Sequence, residues 1–549
     1  ITYTRGSTAT YYDGKTFAKA EENLLLQSQA WGTSPWANNA QGSGNVVVNN
    51  AATAPDGTTT ATSITFGGQT ASRAQPSNTL SGENYTFSFW AKNVDGNTNL
   101  KLLHFNSATG NETDITITAS WARYSVTVLG KSGGGDVNFG VIDQNASGQG
   151  ETLFWGAQLE QRSALTDYTA TTTQPITNYV PALRTAASGE ARFNHDPITG
   201  ESKGFLIEEQ RTNLLTYSEQ FDNAAWGKNN ASITANTVVA PDGTLTGDKL
   251  VENTATTIHR VNQVVTASAT APNTGVVYVK AAERTHVNIA LISSPNFYQV
   301  IYDLDALTTS GGGGGTFTDT DSTIVPVGNG WFRCSITAAF GSGTSVNFAI
   351  DTAVSGSANT VGDGYSGIYI WGAQLEEGAF PTSYIPTVAS QVTRSPDAAS
   401  MTGTNFSSWY RQDEGSFFSN IERDDLGAAG LVFSTSQAGA SYGPRHQLGC
   451  ATNNTCAYAC SLGNSVVVPS LGSTTSRVFA VGYKTNDFAA TGGGAVPGTD
   501  TSGNVPVNNA ELWIGRYNNG VSPLNGHIKK LAFWPKRLSN ATLQALTEE

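Results

Sequence analysis

The sequence predicts an all-β protein of three tandem antiparallel β-sandwiches joined by short irregular linkers, and three observations predict it. Glycine is abundant, at 59 of 549 residues, and only 13% of residues are charged. Val, Ile, Phe and Tyr fall in short runs punctuated by Gly, Asn, Asp and Pro, the pattern of strands and turns. Helical periodicity is nearly absent; the clearest instance is the tail from Ser539 to Leu546, where Ser539 or Asn540 would cap a short helix. Most telling, Trp155-Gly156-Ala157-Gln158-Leu159-Glu160 returns letter for letter as Trp371-Gly372-Ala373-Gln374-Leu375-Glu376. A repeat of that kind fixes the architecture before any local reading.

The copies bring their surroundings with them. A tyrosine follows each Trp at the same distance, Tyr168 and Tyr384, and Asn23-Leu24-Leu25 and Asn213-Leu214-Leu215 open the two stretches. An Ala-Pro-Asp-Gly-Thr turn recurs at 54–58 and 240–244, and Trp121-x-Arg123-x-Ser125 matches Trp331-x-Arg333-x-Ser335. The chain therefore divides into an N-terminal lead (1–22), module A (23–173), a linker (174–212), module B (213–387) and a third, unrelated sandwich (388–549).

Alternation assigns faces, because successive side chains of a strand point to opposite sides. Ala122, Tyr124, Val126 and Val128 share one face, as do Phe332, Cys334, Ile336 and Ala338; these are the core sides. The same reading puts Tyr85, Phe87, Phe89 and Ala91, and Val277 and Val279, inward. That leaves Trp90, Lys92, Trp121 and Arg123 in module A, and Tyr278, Lys280, Trp331 and Arg333 in module B, on an outer face. A flat ring there can stack on a sugar's C–H face while cations donate to hydroxyls. The same residues equally suit stacking on their own cations, or cover by a linker or a neighbouring subunit. Trp155 and Trp371 alternate in phase with Ala157, Leu159, Ala373 and Leu375, which predicts core positions.

A net charge of −13 excludes nucleic acid and anionic membrane as partners. No apolar run reaches the roughly 18 residues of a membrane span. The chain opens at Ile1 with no initiator Met and no secretory leader visible, which leaves room for sequence upstream. Cys334 reads as a core residue; Cys450, Cys456 and Cys460 cluster in one loop-rich segment, where a local disulfide, inert thiols or a metal with His446 are the alternatives. No cofactor or metal site is expected. Glycan hydrolysis needs two carboxylates at a fixed separation; Glu208-Glu209 and Glu376-Glu377 are sequence neighbours and read as polar linker and strand-end residues. His104, His195, His259, His286, His446 and His527 are scattered without catalytic spacing. Gly311–Gly315 reads as a flexible loop.

The segment Glu208–Phe221, with Ile370–Glu376 and Thr382–Thr387, resembles the repeated module of tailed-phage and prophage fibre or head-spike proteins. Asn405–Tyr410, Leu524–Ile528 and Phe533–Leu538 are similar to the concanavalin-like (laminin-G-like) domain that closes such chains. The resemblance covers about 180–549 well and the first module more loosely. It implies carbohydrate-binding jelly rolls for modules A and B, a place in the virion on tail or head, and a homo-oligomer, with a trimer favoured. Jelly rolls of this kind often close on an Asp-bearing strand that holds calcium; Trp-Gly-Ala-Gln stands here instead, and calcium wants oxygen ligands. The expectation is a non-enzymatic appendage that recognises host-surface glycans and contacts other virion proteins. The alternatives are a capsid decoration protein, a depolymerising tailspike, or a bacterial adhesin.

Overall fold

The computed structural model describes the chain except residues 39–43, 69, 96–98, 106–111, 144–149, 425–427, 440–443, 452–455, 462–464, 468–477 and 549. The fold is all-β, in antiparallel sheets, as the composition requires. Two compact units are present, one of 17–180 with 237–239 and one of 1–16, 181–236 and 240–549.

The first unit holds module A. A four-stranded sheet runs in the order Ser72–Thr79, Gly135–Asp143, Asn99–Phe105, Glu112–Thr116. A five-stranded sheet runs Val46–Ala52, Ala61–Thr65, Glu151–Glu160, Asn84–Asn93, Ala122–Leu129. Between them Phe87, Phe89, Ala91, Phe139, Phe154 and Leu159 form the core, with Tyr124, Val126 and Val128 packed against it, as alternation predicts.

In the second unit, module B repeats this plan with six strands per sheet. Val277, Val279, Cys334, Ile336 and Ala338 lie in its core. The smaller sheet gains two strands, Gly227–Asn229 at one edge and Thr308–Gly314 at the other, and the larger gains one, Phe317–Gly328, at an outer edge. The glycine run read as a flexible loop is thus an edge strand, pairing Gly311 with Val300 and Gly314 with Phe297. Glycine is a poor strand former alone, but here its missing side chains are required. A Cβ on Gly311 would sit 2.4 Å from the Tyr298 hydroxyl, and one on Gly313 2.2 Å from the Phe297 carbonyl oxygen.

The third sandwich stacks two seven-stranded sheets and borrows from segments read as lead and linker. Thr2–Thr4 pairs with Ala398–Thr402 at the rim of one sheet, and Phe193–His195 and Ser202–Ile207 extend the other beside Gly526–Trp534. Short range hides this, because a three-residue strand has no alternation to read. Cys450 and Cys456 face each other across neighbouring strands and are disulfide-bonded; the Cys460 side chain lies outside the described residues. Cys334 is buried and free. The tail forms the helix Asn540–Leu546, with Ser539 accepting from the Thr542 amide.

Trp155 and Trp371 are buried as expected, at 5% and 1% exposed, but not on the expected side of the sheet. Trp155 packs with Trp90, Trp121 and Tyr168 in a separate cluster, and the main module B cluster takes Ala373 and Leu375 but not Trp371. The ladder skips a residue between Trp155 and Gln158, and again beside Trp371 opposite Val276 and Tyr278. A bulge reverses which side chains face inward. Gly156 and Gly372 make it possible, with φ of 65° and 62°, where a Cβ is disfavoured.

Candidate functional site

The outer face of each closing strand is built from the same parts. In module B, Trp371 lies opposite Tyr278 in register, and Lys280 opposite Trp331. The Tyr278, Trp371 and Tyr384 rings meet with centroids 4.9 to 6.1 Å apart. Trp90, Trp155 and Tyr168 repeat this in module A at 4.6 to 5.7 Å. Each tyrosine is anchored by a serine of the opening segment, Ser28 at 2.6 Å and Ser218 at 2.7 Å. Each bulge tryptophan donates its indole N–H to a threonine, Thr60 at 2.9 Å and Thr246 at 3.0 Å.

Beneath the rings runs a buried polar lattice, and it accounts for the repeated letters. Asn213 donates to the carbonyls of Ala373 and Ile385 and accepts from the amides of Leu215 and Leu375. Asn23 makes the matching four bonds to Ala157, Thr169, Leu25 and Leu159. Gln374 accepts from the Ile385 amide and Gln158 from that of Thr169. Glu376 accepts from both the amide and the hydroxyl of Thr382 at 2.7 Å. Glu160 does the same with Thr166. Burial raises the pKa of both Glu160 and Glu376, opposed by these threonine bonds and, for Glu376, first by the Arg211 charge. Glu376 is thus a strand-end residue that is fully buried, and its role is to hold the segment that crosses the closing strand.

The eight sequence-predicted residues divide by module. Tyr278 and Trp331, expected to face outward for contact, are 3% and 1% exposed. Tyr278 lies under Tyr384, and Arg333 is tied to the Thr382 carbonyl at 2.6 Å. The N-terminal strand crosses here, with Thr10 donating to the Tyr384 carbonyl at 2.7 Å. The buried Tyr12 phenol beside it is raised by burial, then by the Tyr278 ring, with Arg333 opposing. Lys280 and Arg333 stay half-buried. The module B face is thus closed by the chain's own segments, the alternative to sugar contact that the sequence left open, and Tyr278 and Trp331 are internal contacts.

In module A the counterpart face is half open. Trp90, Lys92, Trp121 and Arg123 all keep partial exposure. The Arg123 guanidinium lies 4.3 Å over the Trp90 ring and donates to the Thr166 carbonyl at 2.7 Å and to Ser88 at 3.0 Å. Trp121 donates to the Thr53 carbonyl at 3.2 Å, which orients its ring.

Two features had no clear sign in the sequence. Glu208, read as a polar linker residue, is buried among Arg192 at 2.7 Å and Arg394, and accepts from the Ser383 amide and hydroxyl. Arg192 also reaches Asp397 at 2.6 Å, and Arg5 reaches Asp397 at 3.3 Å. Burial would raise the Glu208 carboxyl, but the two guanidinia hold it well below its usual range. These residues lie up to 392 apart in sequence, so no local pattern joins them. The second feature is a cavity of about 840 Å³ in the third sandwich, lined by Tyr3, Phe193, Phe205, Met401, Trp409 and Phe533 among others. Its wall is mainly apolar, which suits hydrocarbon better than sugar hydroxyls. Among the described residues no three His, Cys, Asp or Glu gather as a metal site.

No family model matches the chain, and no curated protein matches it. Among solved structures it is similar to the N-terminal tandem CBM22-1–CBM22-2 domain of Xyn10C from Paenibacillus barcinonensis. Identity is 12%, with 66% of this chain and 99% of that chain covered, at a TM-score of 0.21. A likeness that loose bears on neither ligand nor activity.

Proposed function

We propose that the chain is a non-enzymatic structural appendage of a tailed-phage virion, a tail fibre or head spike, that attaches to host-surface glycans. Glycan contact runs through the outer face of module A, by Trp90, Lys92, Trp121 and Arg123. One observation carries the site: of two faces built on the same plan, module B's is closed and module A's is half open. A ring fixed by its own N–H bond offers a rigid platform for sugar C–H groups, and the adjoining cations supply donors. Of the two pairs of adjacent acids in the sequence, Glu208 is held by two arginines and Glu376 by Thr382. Weak sites of this kind gain by repetition, so a homo-oligomer, with the trimer favoured, follows as part of the reading.

A glycan array of wild type and Trp121→Ala tests this. Wild type is expected to bind a subset of host-surface glycans, and the variant to lose roughly tenfold or more in affinity, the scale of a stacking contact. Unchanged binding by the variant overturns the site. Wild type that binds no glycan yet attaches to capsids would replace attachment with capsid decoration.

A further inference from the structure

The geometry points to a second contact surface: the strand Thr308–Gly314 is a docking edge for an extended Lys- or Arg-bearing strand of another polypeptide. It is the outermost strand of its sheet, paired on one side with Asn296–Asp303 from Phe297↔Gly314 to Asp303↔Thr308. Among the described residues its other side makes no backbone hydrogen bond, and six of its seven residues are exposed.

Such an edge recruits another strand unless a charge, a proline or a bulge blunts it. Its neighbour Phe317–Gly328 is blunted, by two register shifts and Pro326. The outermost strand of module A's smaller sheet, Glu112–Thr116, is blunted by Glu112 and Asp114. Thr308–Gly314 carries none of these devices. Module B has therefore added a strand beyond module A's plan and left its main chain bare.

Charge selects the occupant. Asp305, Asp319 and Asp321 flank the strand and are exposed, on a chain whose net charge is −13. A second copy pairing here would bring the same carboxylates against them, whereas a cationic strand would neutralise them. The glycine run supplies no side-chain pockets, so recognition rests on main-chain bonds and these flanking charges.

Hydrogen exchange across 308–314 in the full chain tests this, with two synthetic Thr-Val repeat peptides that end in Lys or in Glu. The Lys-ended peptide is expected to slow exchange about tenfold or more at low salt and to lose this effect at high salt. The Glu-ended twin is expected to leave exchange unchanged. A Cβ at Gly312 meets nothing within 4 Å, so Gly312→Lys and Gly312→Ser both fold; the Lys variant abolishes protection and the Ser variant keeps it. Equal protection by both peptides, or by neither, overturns the proposal. So does self-association that protects 308–314 without peptide, which would make the occupant a second copy.

Discussion

Asn213 shows what the repeated letters do. Its amide closes four main-chain bonds at once, in a position with no access to water. Asn213→Ala orphans two carbonyls and two amides, and each buried orphan costs about 1–3 kcal/mol. Chemical denaturation should show a loss of about 3 kcal/mol or more for this unit, and Asn23→Ala a matching loss in the other. His446 gives a pH signature. It is buried against the Tyr483 ring at 3.9 Å and bonded to the Tyr458 hydroxyl at 2.5 Å, and burial pushes it down to about 3. The unfolded chain binds that proton near pH 6.5. Stability is thus complete above pH 6.5 and falls as pH drops toward 3, by up to about 1.4 kcal/mol per pH unit. His446→Phe should remove this component from melts followed between those pH values. Glu208, held low by Arg394 and Arg192, acts in the same direction at lower pH. Neither behaviour is visible in the sequence, where Glu208 is one of two adjacent acids and His446 a lone histidine. Burial and distant partners define both.

At the scale of elements, alternation was enough to find the core faces, since Phe87, Phe89, Val277 and Ile336 all sit where the period of two places them. It failed at the closing strands because a bulge shifts the phase without changing the residue types. The sign was the glycine inside an otherwise apolar strand, Gly156 and Gly372, which marks bulges. Gly372→Ala should cost about 1–3 kcal/mol, from the left-handed φ and from a Cβ 3.0 Å from the Tyr278 ring. Gly156→Ala should do the same against Trp90; the midpoint of thermal unfolding checks both. The disulfide belongs to this scale as well. Cys450 and Cys456 are six apart in sequence, so it closes a short loop, and its reduction should lower stability by about 2 kcal/mol. A melt with and without reductant measures this.

For the whole molecule, the internal repeat gave two sandwiches and the unrepeated remainder a third, and among the described residues a large hydrophobic cluster lies in each of these stretches. The engagement of residues 2–4 and 193–207 in the third sandwich was hidden, because it joins strands through pairing across hundreds of residues. Long-range closure also decided the candidate site: the face that alternation turned outward in module B is covered by a segment from the far N-terminus. The two modules therefore differ in one respect that matters for glycan contact, a closed face against a half-open one. Measuring glycan affinity and unfolding midpoint together for Trp121→Ala and Trp331→Ala tests it most directly. Trp331→Ala should lose about 3–5 kcal/mol of stability and keep the affinity of wild type, while Trp121→Ala loses affinity with little change in stability. Loss of glycan affinity in folded Trp331→Ala, or its retention in Trp121→Ala, would contradict the account.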